Sequence, residues 1–579
     1  MKSISVLFVL LLLSGCAGLE EFSPPLAPAK VSQASPQLPF PEPKRAAVGL
    51  DQTLLYDYLV GEIGARLGDF DEALSGYLEA ARRAGDPYAA ERATRIAWHV
   101  KRPDIALQAA TLWVRLAPNN LAARQYYALA LLRQGHDGEA LQQLRAMQKI
   151  AEALGKDGLL LIAGALAREA DRSSAVELMR RLVADRLEEP KALYALGVLM
   201  AAQQRWDEAE RVLRQAMAKN PEWLQPYRLL AQVLANDRRR DEAVAVLREG
   251  IERFPDDRLL RTSLARQLVA MQRYDEALTQ FRTLYRLAPD DTGVTYGYAM
   301  LATQQQRWDE ARPLWQKLRA NPRFASEATY FLAQVEESSG HIVTAIGLYR
   351  SVHRGELVAD AAIRAAALLA REEERLVEAR RLLQEARERV PKRAVDLYLA
   401  ETQILRDAGA GPSQVLSVYA QGLRTFPANG DLLYARGLYY AEIGNYVAME
   451  RDFRQLLAQD PRNADALNAL GYMLTQQGKR LEEARGYIQR ALELKPESAA
   501  ILDSMGWVLY RMGKLAEALE YLRKAHARDQ DAEISGHLAE VLWSLGHRDE
   551  ARQILDAALD KTPKDAYLKQ LQHRFAAKP

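Results

Sequence analysis

The sequence Arg205-Trp-Asp-Glu-Ala209 returns in three further forms, so that one motif recurs every 34 residues: Arg239-Arg-Asp-Glu-Ala243, Arg273-Tyr-Asp-Glu-Ala277 and Arg307-Trp-Asp-Glu-Ala311. A proline follows three of these alanines by twelve residues, at Pro221, Pro255 and Pro289. Two amphipathic helices joined by a short turn fit this spacing, and the proline ends each pair because it cannot continue a helix. A fixed period of this length predicts a solenoid of stacked helix pairs.

The period continues on both sides of this block. Small residues at the alanine position, which we call the marker, define fifteen units: Ala73, Ala106, Ala140, Ala175, Ala209, Ala243, Ala277, Ala311, Ala345, Ala379, Val415, Met449, Ala484, Ala518 and Ala551. Another small residue, such as Gly437, usually precedes the marker by twelve positions, and a large one, such as Phe453, often follows it by four. We therefore predict close helix contact at the small residues, with large side chains filling the adjacent space.

Two local features depart from the repeat. Pro313 falls within the first turns of a second helix, which we expect it to distort. The unit marked by Val415 contains an insertion at residues 407–413, and the boundaries of the helices are hardest to predict around residues 394–430.

This spacing of small residues and proline resembles the tetratricopeptide repeat over roughly residues 54–563. The resemblance implies an all-α, right-handed superhelical solenoid of about fifteen helix-turn-helix repeats. We place the array at residues 50–563 and a capping helix at 564–579, because an array needs a cap to cover its last apolar face. The chain carries 78 Lys and Arg against 76 Asp and Glu, and a net charge of +2 disfavours nucleic-acid binding.

The N-terminus has the pattern of a secretory signal peptide. Lys2 precedes an apolar run at residues 4–13, which is too short to span a membrane. The following Leu13-Ser-Gly-Cys16 resembles the bacterial lipobox, which implies removal of residues 1–15 and lipidation of Cys16, the only cysteine of the chain. Ala17 after it resembles the default signal for the outer membrane, which implies an anchor on its periplasmic face. Residues 16–49 form a linker with seven prolines between positions 23 and 43, predicted to extend as a tether.

The sequence contains no catalytic motif that we recognise. The eight histidines form no His-Glu-x-x-His, no Gly-x-Ser-x-Gly is present, and a single cysteine cannot build a Cys/His cluster. We therefore predict no catalytic residue, no metal and no cofactor, and an enzyme with a cryptic site is the least favoured class.

In tetratricopeptide arrays the first helix of each pair lines the concave face. The resemblance places nine aromatic residues there by register: Tyr58, Tyr194, Tyr296, Tyr330, Tyr434, Tyr472, Trp507, Tyr510 and Trp543. Aromatic side chains are enriched at binding hot spots. The alternative is that the rings pack between neighbouring first helices.

The C-terminal units concentrate these candidates. Three successive first helices add the polar residues Asn468, Asp503, His537 and Glu540 to the rings of Tyr472, Trp507, Tyr510 and Trp543. Such a surface suits an extended peptide. The Lys and Asn pair of arrays that bind a terminal carboxylate is not present at the matching positions, for example Asn468 and Tyr472.

The lipobox, the Pro-rich spacer and the array together resemble large proteobacterial tetratricopeptide-repeat lipoproteins. This resemblance implies a non-enzymatic adaptor that binds a periplasmic carboxyl-terminal processing protease and presents substrates such as cell-wall hydrolases. An alternative is an assembly factor for an outer-membrane machine, such as a pilus secretin, β-barrel insertion or polysaccharide export. Both predict protein partners and a membrane contact through the lipid.

Overall fold

The computed structural model describes residues 51–169, 172–478 and 480–576. The predicted signal peptide, Cys16 and the Pro-rich linker lie outside these residues. Within them the chain forms 31 α-helices, which we number in chain order: α1 Gln52–Leu67, α2 Phe70–Ala84, α3 Pro87–His99, α4 Pro103–Leu116, α5 Leu121–Arg133, α6 Asp137–Ala153, α7 Gly158–Leu166, α8 Arg172–Val183, α9 Pro190–Ala202, α10 Trp206–Lys219, α11 Leu224–Asn236, α12 Arg240–Arg253, α13 Arg258–Ala270, α14 Tyr274–Leu287, α15 Thr292–Gln304, α16 Trp308–Arg319, α17 Ala325–Ser338, α18 Ile342–Arg350, α19 Val358–Leu369, α20 Leu376–Arg389, α21 Ala394–Asp407, α22 Pro412–Thr425, α23 Gly430–Glu442, α24 Tyr446–Gln459, α25 Ala464–Gln476, α26 Leu481–Leu494, α27 Ala499–Arg511, α28 Leu515–Arg528, α29 Ala532–Ser544, α30 Arg548–Lys561 and α31 Ala566–Ala576.

The helices α1 to α30 form fifteen consecutive pairs, and α31 follows the last pair. Every marker residue lies in the second helix of its pair and is buried: fourteen have no solvent exposure, and Ala106 is 2% exposed. The predicted all-α fold of helix-turn-helix repeats is therefore confirmed. The contacts divide the chain into two compact units, one ending at Leu314 and the other beginning at Trp315.

In several pairs, close contact between the two helices depends on a small residue of the first helix. A Cβ added at Gly437 would lie 3.1 Å from the ring of Phe453, and one added at Gly506 would lie 2.5 Å from Leu522 Cγ. Phe453 and Leu522 are fully buried. The small residue thus makes room for the large one that follows the marker by four positions, as the sequence predicts.

The turn inside most pairs has a residue in the left-handed conformation. Glycine occupies this position in several pairs, for example Gly444 with a φ of 74°. In three consecutive pairs the residue is Gln204, Arg238 or Gln272, with φ between 60° and 65°. Residues with a Cβ are strained in this conformation, so the tight turn and not the residue type determines the backbone here.

A glutamate in the first turn of many second helices joins neighbouring pairs. Glu276 of α14 accepts hydrogen bonds from Arg273 of its own turn at 2.6 Å and from Arg248 of the preceding second helix at 2.5 Å. Glu483 is bound by Arg480 and Arg454 in the same way. We call this repeated arrangement the ion ladder. Hydrogen bonding to Arg273 lowers the pKa of Glu276.

Three helices differ from the regular pattern. α16 continues from Trp308 to Arg319 with Pro313 inside it, so the proline removes one hydrogen bond without ending the helix. α18 has nine residues, where most second helices have fourteen, and residues 351–357 form a loop. The insertion after α21 forms a turn with Gly409 at a φ of 72°, and Pro412 begins α22.

Candidate functional site

The first helices α25, α27 and α29 bring a buried acid and a histidine together in the C-terminal unit. Asp503 lies on α27 and His537 on α29, and His537 Nδ1 lies 2.9 Å from Asp503 Oδ2. Both side chains are buried, with 4% and 2% of their surface exposed. Burial raises the pKa of the Asp503 carboxyl, and the hydrogen bond to His537 opposes this shift only in part.

Two aromatic side chains enclose this pair. The Trp507 indole stacks on the His537 imidazole, with ring centroids 3.9 Å apart and an interplanar angle of 16°. Tyr472 of α25 reaches past α27, and its hydroxyl donates a hydrogen bond to Glu533 of α29. Gln476 donates to the same hydroxyl at 2.6 Å. Burial is the largest cause that raises the pKa of Tyr472, and the hydrogen bond to Glu533 adds to it.

A second carboxylate extends the network to the last helix. Glu540 accepts hydrogen bonds from the hydroxyls of Tyr567 at 2.9 Å and Tyr510 at 3.3 Å. Arg574 of α31 forms an ion pair with Glu540 at 2.8 Å. Gly536 permits this approach, because a Cβ there would lie 2.5 Å from the ring of Tyr567. The helix after the last pair is therefore joined to α29 by polar as well as apolar contacts.

Two buried polar atoms in this region have no hydrogen-bond partner. Trp507 Nε1 is a donor on a side chain that is 7% exposed, and Asn468 Oδ1 is an acceptor on α25. An unpaired buried polar group costs roughly 1–3 kcal/mol, so each atom favours a ligand or water that supplies the missing bond. We call Asn468, Tyr472, Asp503, Trp507, Glu533, His537 and Glu540 the C-terminal cluster.

The sequence predicted every residue of this cluster as a candidate except Glu533. Asn468, Tyr472 and Tyr510 are partly exposed, whereas Asp503, Trp507, His537 and Glu540 are more than nine-tenths buried among their neighbours. Trp543 stacks on Phe575 of α31, with centroids 4.0 Å apart. It thus packs against the helix that follows the array, which its register position alone did not indicate.

The remaining candidate rings lie apart from this cluster and contact other aromatic residues. Tyr194 meets Trp223 edge to face at 4.8 Å, and Tyr434 meets Phe453 at 5.7 Å. Tyr330 meets Tyr349 with ring centroids 5.5 Å apart, and the Tyr58 hydroxyl donates a hydrogen bond to Asp86. The Tyr296 side chain is buried. These rings contribute to packing between helices, whatever they also present to a partner.

A cleft in the N-terminal unit was not indicated by the sequence. It has a volume of about 550 Å³ and is lined by Trp98, Lys101, Arg133 and Glu169, among others. The Arg133 guanidinium lies 3.7 Å from the centre of the Trp98 ring and binds both oxygens of Glu169, at 2.8 and 3.2 Å. The three groups belong to different pairs, so their proximity depends on how consecutive pairs stack.

Across the ranges that the structure describes, no three His, Cys, Asp or Glu side chains are grouped so that they could hold a metal ion. No helix in those ranges is both long and apolar enough to cross a lipid bilayer.

Comparison with known proteins agrees with the helix pairs. Three tetratricopeptide-repeat families match the chain at residues 160–222, 200–267, 262–323, 296–356, 462–531 and 509–574. The TPR repeat-containing protein PA4667 of Pseudomonas aeruginosa is 36% identical over 541 residues, which cover 93% of this chain and 90% of that protein. The chain therefore belongs to the family of tetratricopeptide-repeat proteins. Such repeats indicate protein–protein interaction, and proteins built from them are typically non-enzymatic scaffolds.

Other similarities are more limited. The type IV pilus assembly protein PilF of Pseudomonas aeruginosa is 34% identical over 113 residues, or 18% of this chain and 43% of that protein. Among solved structures, a chain of the APC/C hetero-tetramer Cut9-Hcn1 covers 90% of this chain and 96% of its own length at 14% identity, with a TM-score of 0.32. A chain of Naa15/Naa10 bound to HypK-THB has the same coverage at 10% identity, with a TM-score of 0.35.

Proposed function

We propose that the protein is a periplasmic adaptor, anchored in the outer membrane through Cys16, that binds a carboxyl-terminal processing protease and presents substrates to it. Cell-wall hydrolases are the expected substrates. The array holds both proteins, and the reaction gains from their proximity rather than from any residue of this chain.

The observation that carries the proposal is the C-terminal cluster, in which three successive first helices combine into one surface. Tyr472 and Tyr510 remain partly exposed at its edge, and Asn468, whose Oδ1 is unpaired, precedes Tyr472 by about one helical turn. Part-exposed aromatic rings beside unpaired polar atoms suit the side chains and peptide groups of a bound protein. Repeats occupy nearly all of the described ranges, so the function depends on such surfaces.

Capture of partners from membranes tests the adaptor role. The tagged full-length protein is cross-linked in cells, and bound proteins are identified by mass spectrometry. We expect a periplasmic protease and its hydrolase substrates. The variant with Tyr472→Ala and Tyr510→Ala should lose substrate but keep its helical content. Tyr446→Ala, which changes a more exposed tyrosine outside the cluster, is the matched control.

The anchor is tested separately. Cys16→Ala should release the protein from the outer membrane into the soluble periplasmic fraction, because the lipid is the proposed attachment. Retention of an unlipidated protein in the outer membrane would contradict the anchor.

A second candidate is an assembly factor for an outer-membrane machine, which the partial match to the pilus assembly protein PilF favours. The same capture experiment distinguishes the two. Recovery of secretin or other machine subunits without any protease would support assembly and reject the adaptor role.

A further inference from the structure

We propose that the C-terminal cluster binds an extended peptide segment that carries a lysine or arginine side chain, and that the contact between Tyr472 and Glu533 closes this site until the peptide enters. The inference rests on the proposed function and names the chemistry of the ligand at the same site.

The unpaired atoms point to a peptide group. Trp507 Nε1 needs an acceptor and Asn468 Oδ1 needs a donor, and they lie on the neighbouring first helices α27 and α25. A peptide main chain supplies one carbonyl and one N–H per residue, which matches this demand. The Trp507 side chain is more than nine-tenths buried, so its unpaired N–H is not a surface group that bulk water satisfies.

The charge of the cluster favours a cation. Asp503, Glu533 and Glu540 contribute three carboxylates. Arg574 is the guanidinium that pairs with Glu540, and His537 bonds to Asp503. The carboxylates of the cluster therefore outnumber the basic side chains that pair with them by three to two. A lysine or arginine side chain placed beside Glu533 would reduce this excess and could also lie against the rings of Tyr472 and Trp507.

The contact between Tyr472 and Glu533 is the one that closes the site in this proposal. The two residues are 61 positions apart, and the tyrosine side chain passes α27 to reach α29. Glu533 is exposed, and Tyr472 is partly exposed. A cation that binds the Glu533 carboxylate competes with the Tyr472 hydroxyl, because a charged donor adds the attraction between two opposite charges, which a neutral hydroxyl does not supply. Displacement of Tyr472 then opens a path to Trp507.

Peptide binding to the full-length protein tests the inference. Three fluorescein-labelled peptides of sequence Ser-Ala-X-Ala-Ser, with lysine, norleucine or glutamate at X, are titrated by fluorescence anisotropy. We expect the lysine peptide to bind at least about tenfold more tightly than the norleucine peptide, and this preference to weaken as salt is added. Glu533→Gln should abolish the preference. Trp507→Phe keeps an aromatic ring at this position but removes the N–H donor. It should weaken the binding of the lysine peptide and of the norleucine peptide to the same extent.

Equal affinity for the lysine and norleucine peptides would overturn the inference, and so would a preference that survives Glu533→Gln. Trp507→Phe without effect would show that water satisfies the indole, which also overturns it. The Tyr446→Phe variant is the matched control and should bind as the unaltered protein does. Lysine preference without capture of any protein partner rejects the proposed function alone, whereas partner capture without lysine preference rejects this inference alone.

Discussion

Replacement of Gly506 by alanine tests the packing that holds each helix pair together. The added Cβ would lie 2.5 Å from Leu522 Cγ, where ordinary contact begins at 3.4 Å, a shortfall of 0.9 Å. The backbone oxygen of Ala518 lies 3.1 Å away and blocks movement in that direction. Overpacking of a buried site costs about 1–3 kcal/mol, and alanine regains about 1 kcal/mol of helix propensity. The difference is a net loss of about 0–2 kcal/mol, and the 2.5 Å approach places this site toward the upper end.

The matched control is Gly486→Ala in α26. This glycine is exposed, and nothing lies within 4 Å of an added Cβ, so helix propensity alone should stabilise α26 by up to about 1 kcal/mol. Hydrogen exchange measured by mass spectrometry reports local opening, which suits an array whose parts need not unfold together. Amides of α27 and α28 should exchange roughly tenfold faster in Gly506→Ala. If Gly506→Ala protects these amides as Gly486→Ala protects those of α26, the packing argument is refuted.

Three further changes test other features of the fold. Gln272→Gly should stabilise its turn by roughly 0.5 kcal/mol in thermal unfolding, because relief of the left-handed strain exceeds the entropy cost of glycine; a lower melting temperature would contradict this. Arg436→Leu should cost about 3 kcal/mol, since it removes both hydrogen bonds to the fully buried Asp452 and leaves only the ion pair with the exposed Arg451 at 3.7 Å, and a loss below 1 kcal/mol in urea unfolding would reject that reasoning. Because the pKa of Glu276 is lowered in the folded protein, its contribution to stability is complete above the ordinary pKa of 4.5 and is lost as pH falls through the folded-state pKa. Arg273→Gln should reduce this dependence of the melting temperature on acid pH. An unchanged dependence would count against the ion ladder.

Spacing within one unit was enough to predict its internal packing. The markers are buried, and the contact between Gly437 and Phe453 follows from positions sixteen residues apart within one pair. The sequence could do this because a helix pair has nearly the same geometry wherever it occurs. It also predicted distortion at Pro313; α16 includes this residue and continues past it, and the distortion itself stays a prediction.

Contacts between one helix pair and the next were harder to predict. The hydrogen bond from Tyr472 to Glu533 and the stack of Trp543 on Phe575 join different pairs. Their distances depend on the angle at which one pair stacks on the next, which a period in the sequence does not specify. The same reason explains why the cleft beside Trp98 had no sequence signal. The shortened α18 departs from the period itself.

The ion ladder has a consequence for how such a chain can change its length. Arg214 precedes Arg248 by 34 residues and occupies the same place in α10 that Arg248 occupies in α12. Excision of residues 239–272 would join two identical positions, and Arg214 would then meet Glu276. Within the block from Arg205 to Ala311, loss or duplication of one whole repeat therefore keeps an arginine and a glutamate at each junction, whereas a change of any other length does not align them. In the block from Arg205 to Ala311 the repeats are therefore equivalent to one another, and natural selection can lengthen or shorten the surface of the array in steps of one repeat.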